Sequence, residues 1–133
     1  MRTVHEGSAF FVQRDDLLQV VVVRRRSGRL EVDEVPAAFQ AFADVLAGIP
    51  RGDWSVMLDM RDAPLRNDED FERAMGQQLM VLMSGFRRRA LLVKTAVGAL
   101  QVNRAARSVW GNDDDTQPTI FRDEAEAMHF LHS

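Results

Sequence analysis

Short apolar runs alternate along the chain with longer segments in which apolar residues recur every three or four positions. The short runs predict buried β-strands, and the longer segments predict amphipathic helices. Strands are predicted at residues 8–14, 17–26, 55–60, 89–95 and 118–121, and helices at residues 34–47, 68–84, 96–109 and 124–131. The predicted order of elements is therefore ββαβαβαβα.

The second predicted strand holds four consecutive valines, Val20 to Val23. Such a run is typical of the centre of a sheet that is covered on both faces. Because helices separate the later strands, these strands should pair in parallel through right-handed crossovers. We therefore predict one α/β domain with a mixed sheet of about five strands, parallel in the centre with the first strand antiparallel, and four helices. Residues 1–7 lack periodicity and are predicted to be a flexible lead-in to the domain at residues 8–133.

The stretch at residues 54–72, WSVMLDMRDAPLRNDEDFE, is predicted to be a buried strand that leads through a short loop into a capped helix. Asp59, Arg61 and Asp62 follow the apolar part of this strand. They should lie at its carboxyl end, which is the edge where open α/β sheets place their ligand sites. This junction is therefore the predicted functional region.

Composition and charge exclude several classes of protein. The 133 residues are 46% hydrophobic, enough to bury one core, and the absence of cysteine excludes disulfides, thiolate zinc sites and thiol catalysis. The net charge of -3, with arginine runs at 24–26 and 87–89 expected at opposite sheet edges, argues against a nucleic-acid groove. No run is long enough for membrane insertion and no secretory signal is expected, so a cytoplasmic protein is predicted. His129 and His132 lack a third ligand nearby, and no metal or cofactor is predicted.

The segments RNDEDFE and ALLVKTAVGALQVNRAAR, together with the leading hairpin and VMLDMRDAPLRNDEDFE, are typical of one family. They resemble the STAS fold of bacterial anti-sigma factor antagonists, and more specifically the SpoIIAA-like, CRAL-TRIO-related branch of small bacterial proteins. The resemblance covers residues 8–131. It implies a protein that binds a partner as a switch, and some relatives bind lipids or nucleotides.

The resemblance also implies a serine, phosphorylated by a partner kinase, at the start of the helix after the third strand. That position falls at Asp68 or Glu69, and neither can be phosphorylated by a serine kinase. The chain is then either a permanent mimic of the modified state or a protein that never used phosphorylation. The second alternative is favoured, because a carboxylate has less charge and fewer acceptor oxygens than a phosphate.

The leading hypothesis is a non-enzymatic regulatory module that binds a protein partner, which could also be a second copy of the chain. The surface would be the junction at residues 59–70 and an apolar stripe on the outer side of the second helix, where methionines adapt to partners. The residues predicted to contact the partner are Asp59, Arg61, Asp62, Arg66, Asn67, Asp68, Glu69, Gly76, Met80 and Met83.

The alternative is a protein that binds a small ligand, either a lipid or a nucleotide, at the strand-end edge. The candidate residues at the ends of the flanking strands are Arg24, Arg26, Lys94 and Thr95. The acids at the start of the second helix weigh against a nucleotide, since they occupy the positive helix end that a phosphate would use.

A third hypothesis is phosphoryl transfer through Asp59, which needs a carboxylate nucleophile and further acids to hold magnesium. The second strand ends in arginines instead of acids, which would serve a metal poorly. The simpler interpretation is that Asp59 pairs with an arginine, and no catalytic residue is therefore assigned.

Overall fold

The computed structural model describes residues 1–64, 68–110 and 117–133. Within these residues one sheet contains the strands β1 Arg2–Glu6, β2 Phe10–Asp15, β3 Val20–Arg25, β4 Ser55–Asp59, β5 Arg89–Leu92 and β6 Thr119–Phe121. The α-helices are α1 Val35–Gln40, α2 Ala43–Ala47, α3 Glu69–Met83, α4 Ala96–Trp110 and α5 Glu124–His132. The predicted acidic loop at 111–115 lies outside the described residues.

The strands follow one another across the sheet in chain order. Antiparallel pairing joins β1 to β2 and β2 to β3, and parallel pairing joins β3 to β4, β4 to β5 and β5 to β6. The valines of β3 are fully buried in the middle of this sheet. The predicted α/β class, with a parallel centre and an antiparallel first pair, is confirmed.

The prediction of a flexible lead-in is wrong, because Arg2–Glu6 form the edge strand β1. Val4 packs against the core, and the His5 ring lies 5.9 Å from the ring of Phe42 between centroids. An edge strand has a partner on one side only and tolerates polar residues. The polar residues of this segment therefore gave no hydrophobic pattern from which the strand could be predicted.

The predicted helix at 34–47 is divided into a 3-10 turn, Val32–Glu34, and the helices α1 and α2. The chain leaves helical geometry at Phe42, whose φ is -114° and ψ is 12°. This break places the buried Phe42 ring against Phe10 and Phe39, at centroid distances of 5.5 and 5.7 Å. The helical period of the sequence does not reveal such a break, because the apolar spacing continues through it.

The two faces of the sheet are covered unequally. On one face α1, α2 and α3 pack over alternate strand residues such as Val21, Val56 and Leu91. Helix α4 packs beside α3. On the other face Ala127 and Leu131 of α5 cover the opposite set of strand residues: Val20, Val22, Met57, Ala90 and Leu92.

Helix α5 is fixed at both ends by hydrogen bonds. The Asp123 carboxylate accepts from the backbone N–H of Glu126 at 3.0 Å and caps the amino end. At the carboxyl end, the buried Ser55 hydroxyl and the Arg87 guanidinium donate to the carbonyl of Leu131 at 2.9 and 3.1 Å. The first bond satisfies an N–H, and the other two satisfy a carbonyl, that the helix itself leaves without partners.

Candidate functional site

The carboxyl ends of β3, β4 and β5 meet at one edge of the sheet. Arg24 of β3 lies in register with Asp59 of β4, and Asp59 lies in register with Leu92 of β5. Because successive side chains of a strand point to opposite faces, Arg24 and Asp59 share the face covered by α5. Arg25 points to the face covered by α3. The strand-end edge therefore carries one arrangement of side chains on each face of the sheet.

On the α5 face, Arg24, Asp59, Arg61 and Glu124 form an ion-pair cluster. Arg24 Nη1 lies 2.7 Å from Asp59 Oδ2 and 2.6 Å from Glu124 Oε1, and Arg61 Nη2 lies 2.9 Å from the same two oxygens. The other oxygen of Asp59 accepts from the backbone N–H and Nε of Arg61 at 3.1 and 3.0 Å. The cluster joins β3, β4, the following loop and α5.

The environment of Asp59 holds the carboxylate in its charged form. Burial alone would raise the pKa of Asp59, but the hydrogen bonds from Arg61 and Arg24 outweigh it, so the pKa is lowered. For Arg24, burial acts to lower the pKa, and the bonds to Glu124 and Asp59 raise it overall. Both members of the central pair therefore stay ionised at neutral pH.

The pairing of Asp59 with arginine, predicted as the simpler interpretation, is confirmed. Its side chain is 8% exposed and both of its carboxylate oxygens accept hydrogen bonds from arginine. Among the described residues no group of three or more His, Cys, Asp or Glu side chains is arranged to hold a metal ion. The geometry of Asp59 is that of a structural ion pair.

On the α3 face the same edge contains a cavity of about 190 Å³. Its wall is mainly apolar and comes from the sheet, from α3 and from the loops beside them: Leu30, Met60, Ala63, Pro64, Phe71, Met75, Leu79, Leu91 and Val93. Polar and charged groups, with Gly98 of α4, complete the lining: Arg25, Arg61, Glu72, Lys94, Thr95 and Gln101. The cavity is thus apolar inside, with several cations in its lining.

The ligand residues predicted from the sequence divide between the two faces. Lys94 and Thr95 line the cavity as predicted, whereas Arg24 belongs to the ion-pair cluster. Arg26 donates from Nε to the carbonyl of Gly7 at 2.8 Å and its guanidinium stacks over Phe11. Arg24 and Arg26 are therefore not cavity residues, since strand alternation turns both of them to the other side of the sheet.

Arg25, which the sequence-based prediction passed over, is the member of the arginine run that lines the cavity. It is 4% exposed, and its guanidinium donates to the carbonyls of Ala9 and Gly28 at 3.2 and 2.8 Å. The sequence feature that could have identified Arg25 is strand alternation, which places its side chain on the same face as those of Val21 and Val23.

The predicted partner-binding residues of the junction differ in exposure. Asp62 and Glu69 are exposed, but Asp59 is buried and cannot meet a partner directly. Asp68 caps α3, where its carboxylate accepts from the backbone N–H of Phe71 at 3.3 Å. Arg61 is partly exposed and belongs to the ion-pair cluster. Arg66 and Asn67 lie outside the described residues.

The predicted apolar stripe on the outer side of the second helix is wrong for two of its three members. Gly76 and Met83 are buried, and only Met80 is partly exposed. Met83 packs in the hydrophobic core with residues of the sheet, so α3 buries a wider arc than a single core-facing stripe. Among the residues of α3 and α4 whose side chains the structure describes, the exposed large apolar ones are Val81, Val97 and Leu100.

Comparison with solved structures places this architecture among known folds. An anti-sigma factor antagonist from Mycobacterium paratuberculosis superposes with a TM-score of 0.58 and 15% sequence identity, over 93% of both chains. An uncharacterized protein with a SpoIIAA-like fold from Shewanella loihica superposes with a TM-score of 0.57 and 17% identity, over 98% of both chains. This chain has a SpoIIAA-like, STAS fold. The resemblance predicted from the sequence is confirmed at the level of the fold.

At these identities the STAS likeness establishes the fold and assigns no partner or ligand. No protein-family model and no curated protein matches the sequence. None of the helices in the described part of the STAS domain is long and apolar enough to cross a membrane.

Proposed function

We propose that this protein is a non-enzymatic regulatory module that binds a protein partner through an acidic surface at the strand-helix junction. The acidic surface consists of Asp62 in the loop after β4 and of Glu69 and Asp70 in the first turn of α3, all of them exposed. The supporting observation is the fold shared over 93% of both chains with an anti-sigma factor antagonist.

The charge of the acidic surface indicates the chemistry of the partner. Three carboxylates within nine residues present negative charge at the end of the sheet where the strands terminate. Opposite charges across an interface accelerate association and suppress wrong partners. We infer that the partner presents lysine or arginine side chains to this surface.

The start of α3 supports recognition without a phosphorylation switch. Asp68 is the capping residue of α3, and Glu69 is the first residue of the helix. At these positions a carboxylate compensates the helix dipole and caps free N–H groups, and neither residue has a hydroxyl that a kinase could phosphorylate. We propose that partner binding is constitutive and is regulated by the abundance or state of the partner.

Charge reversal tests the acidic surface. We expect Glu69→Lys with Asp70→Lys to weaken partner binding about tenfold, about 1.4 kcal/mol, and to flatten its dependence on salt. The matched control is Asp44→Lys with Asp53→Lys, which reverses two exposed acids that also lie in first helical turns. The partner is captured from extracts of the source cell, purified, and titrated by calorimetry at two salt concentrations.

Two results would contradict the proposed function. One is equal affinity of the two double variants for the purified partner, which would place recognition elsewhere. The other is a failure to recover any partner that binds the wild-type protein after purification. Thermal melting of each variant separates lost recognition from lost folding.

A further inference from the structure

The cavity between the sheet, α3 and α4 is lined by none of the three residues of the acidic surface. This cavity of about 190 Å³ is partly open to solvent and lies at the carboxyl ends of the strands, where open α/β sheets place their ligand sites. It reaches the surface on the side where the exposed residues Pro64 and Lys94 line it.

We propose that this cavity binds a medium-chain carboxylate, with the alkyl chain inside and the carboxylate at Lys94. The volume fits this class of ligand. An engineered cavity of about 150 Å³ in another protein binds benzene, so this one has room for the chain of an acid with about six to eight carbons. Sites that enclose larger ligands measure about 300 to 1,000 Å³.

The wall provides the environment that an alkyl chain needs. Leu30, Met75 and Leu79 are buried, and they converge on the cavity from the loop after β3 and from α3. Leu91 and Val93 close it on the side of the sheet. Met75 is unbranched and flexible, so it can adapt to the shape of an alkyl chain.

The charges of the lining select an anion for the other end of the ligand. Lys94, Arg25 and Arg61 are cationic, and Glu72 is the one acid that lines the cavity within the described residues. Arg61 is engaged by Asp59, and Glu72 forms an ion pair with Arg104. Lys94, exposed at the end of β5, remains as the group placed to meet a carboxylate at the opening.

A nucleotide fits this cavity less well than a carboxylic acid does. A base, a sugar and a phosphate exceed the volume, and the wall is apolar where a nucleotide would require hydrogen-bond partners. The site requires no contribution from the acidic surface, so protein recognition and ligand binding can succeed or fail independently.

Octanoate is the probe for the charged end of the site. We expect saturable binding with a Kd of about 0.1 mM, followed through the amide NMR signals of Lys94, Thr95, Gly98 and Gln101. Lys94→Gln should weaken octanoate about fivefold and leave octanol, which has no charge, unchanged. The control Arg2→Gln removes an exposed charge at the opposite edge of the sheet and should bind octanoate as the wild type does.

A second pair of variants tests the cavity itself. Ala63→Leu adds bulk to the wall and should weaken octanoate and octanol alike by about tenfold, whereas Ala47→Leu, at the exposed end of α2, should change neither. The proposal is overturned if octanoate causes no saturable shift up to about 5 mM. It is also overturned if Lys94→Gln and Arg2→Gln act equally, or if AMP binds these residues more tightly than octanoate.

Discussion

Asp59→Asn is expected to lower the free energy of unfolding by about 2 to 4 kcal/mol at pH 7. The substitution keeps the shape of the side chain but removes the charge that Arg24 and Arg61 share at 2.7 and 2.9 Å. Two guanidinium groups would then depend on Glu124 alone in a half-buried site, and an inadequately paired buried charge is costly. Denaturant unfolding of both proteins measures the difference.

The effect of Asp59→Asn on the free energy of unfolding should depend on pH. The folded-state pKa of Asp59 is lowered below its ordinary value of 3.8, so the unfolded chain binds this proton more readily than the folded one. The stability that Asp59 contributes is complete above about pH 5 and is lost as the pH falls through its folded-state pKa. The difference in unfolding free energy between the wild type and Asp59→Asn should therefore become smaller below about pH 4.

Asp44→Asn is the matched control for Asp59→Asn. Asp44 is an exposed aspartate in the first turn of α2, and its substitution should cost less than about 0.5 kcal/mol. The ionised, arginine-paired state of Asp59 would be contradicted if the difference in unfolding free energy between wild type and Asp59→Asn stayed constant from pH 7 to pH 3. Glu124 shares both arginines, so adding Glu124→Gln to Asp59→Asn should lower the free energy of unfolding further than Asp59→Asn alone does.

The elements that the sequence predicts correctly are those whose local pattern matches their environment. The valine run of β3 is buried on both faces, and its composition alone indicates this. Met75, Leu79 and Leu82 follow the helical period and form the core face of α3. The placement of Asp59 beside arginine also follows from chain order, because parallel strands end at one edge.

The elements that the sequence hides are those decided by a neighbour that is distant along the chain. Gly76 and Met83 lie one position along from the core stripe of α3, yet both are buried, and Met83 packs in the core cluster with residues of the distant strands. The edge strand β1 is recognisable only through its pairing with β2. The cavity, likewise, is a space between elements, and no single segment encodes it.

Arg51→Ala is expected to lower the free energy of unfolding by about 2 to 3 kcal/mol, although Arg51 lies outside the helix it supports. The last turn of α3 contains no basic residue, and its final carbonyls have no partners within the helix. Arg51 Nη1 lies 3.1, 2.9 and 2.7 Å from the carbonyl oxygens of Val81, Leu82 and Ser84. A cation at this end also compensates the negative end of the helix dipole.

Arg51 also joins this helix end to the sheet. Its guanidinium lies 4.7 Å from the centroid of the buried Phe86 ring, and its carbonyl accepts from the N–H of Arg87 at 3.2 Å. Burial lowers the pKa of Arg51, but an arginine remains charged at neutral pH. Removal of the side chain therefore costs hydrogen bonds, charge and stacking at one position.

Arg51→Lys separates these contributions, because lysine keeps the charge but lacks the planar group that spans several carbonyls and stacks on an aromatic ring. We expect it to recover about half of the loss. Arg29→Ala, which removes an exposed arginine paired with Glu31, should cost less than about 0.5 kcal/mol. If Arg51→Ala cost no more than this control, the carboxyl end of α3 would be stabilised by its packing alone.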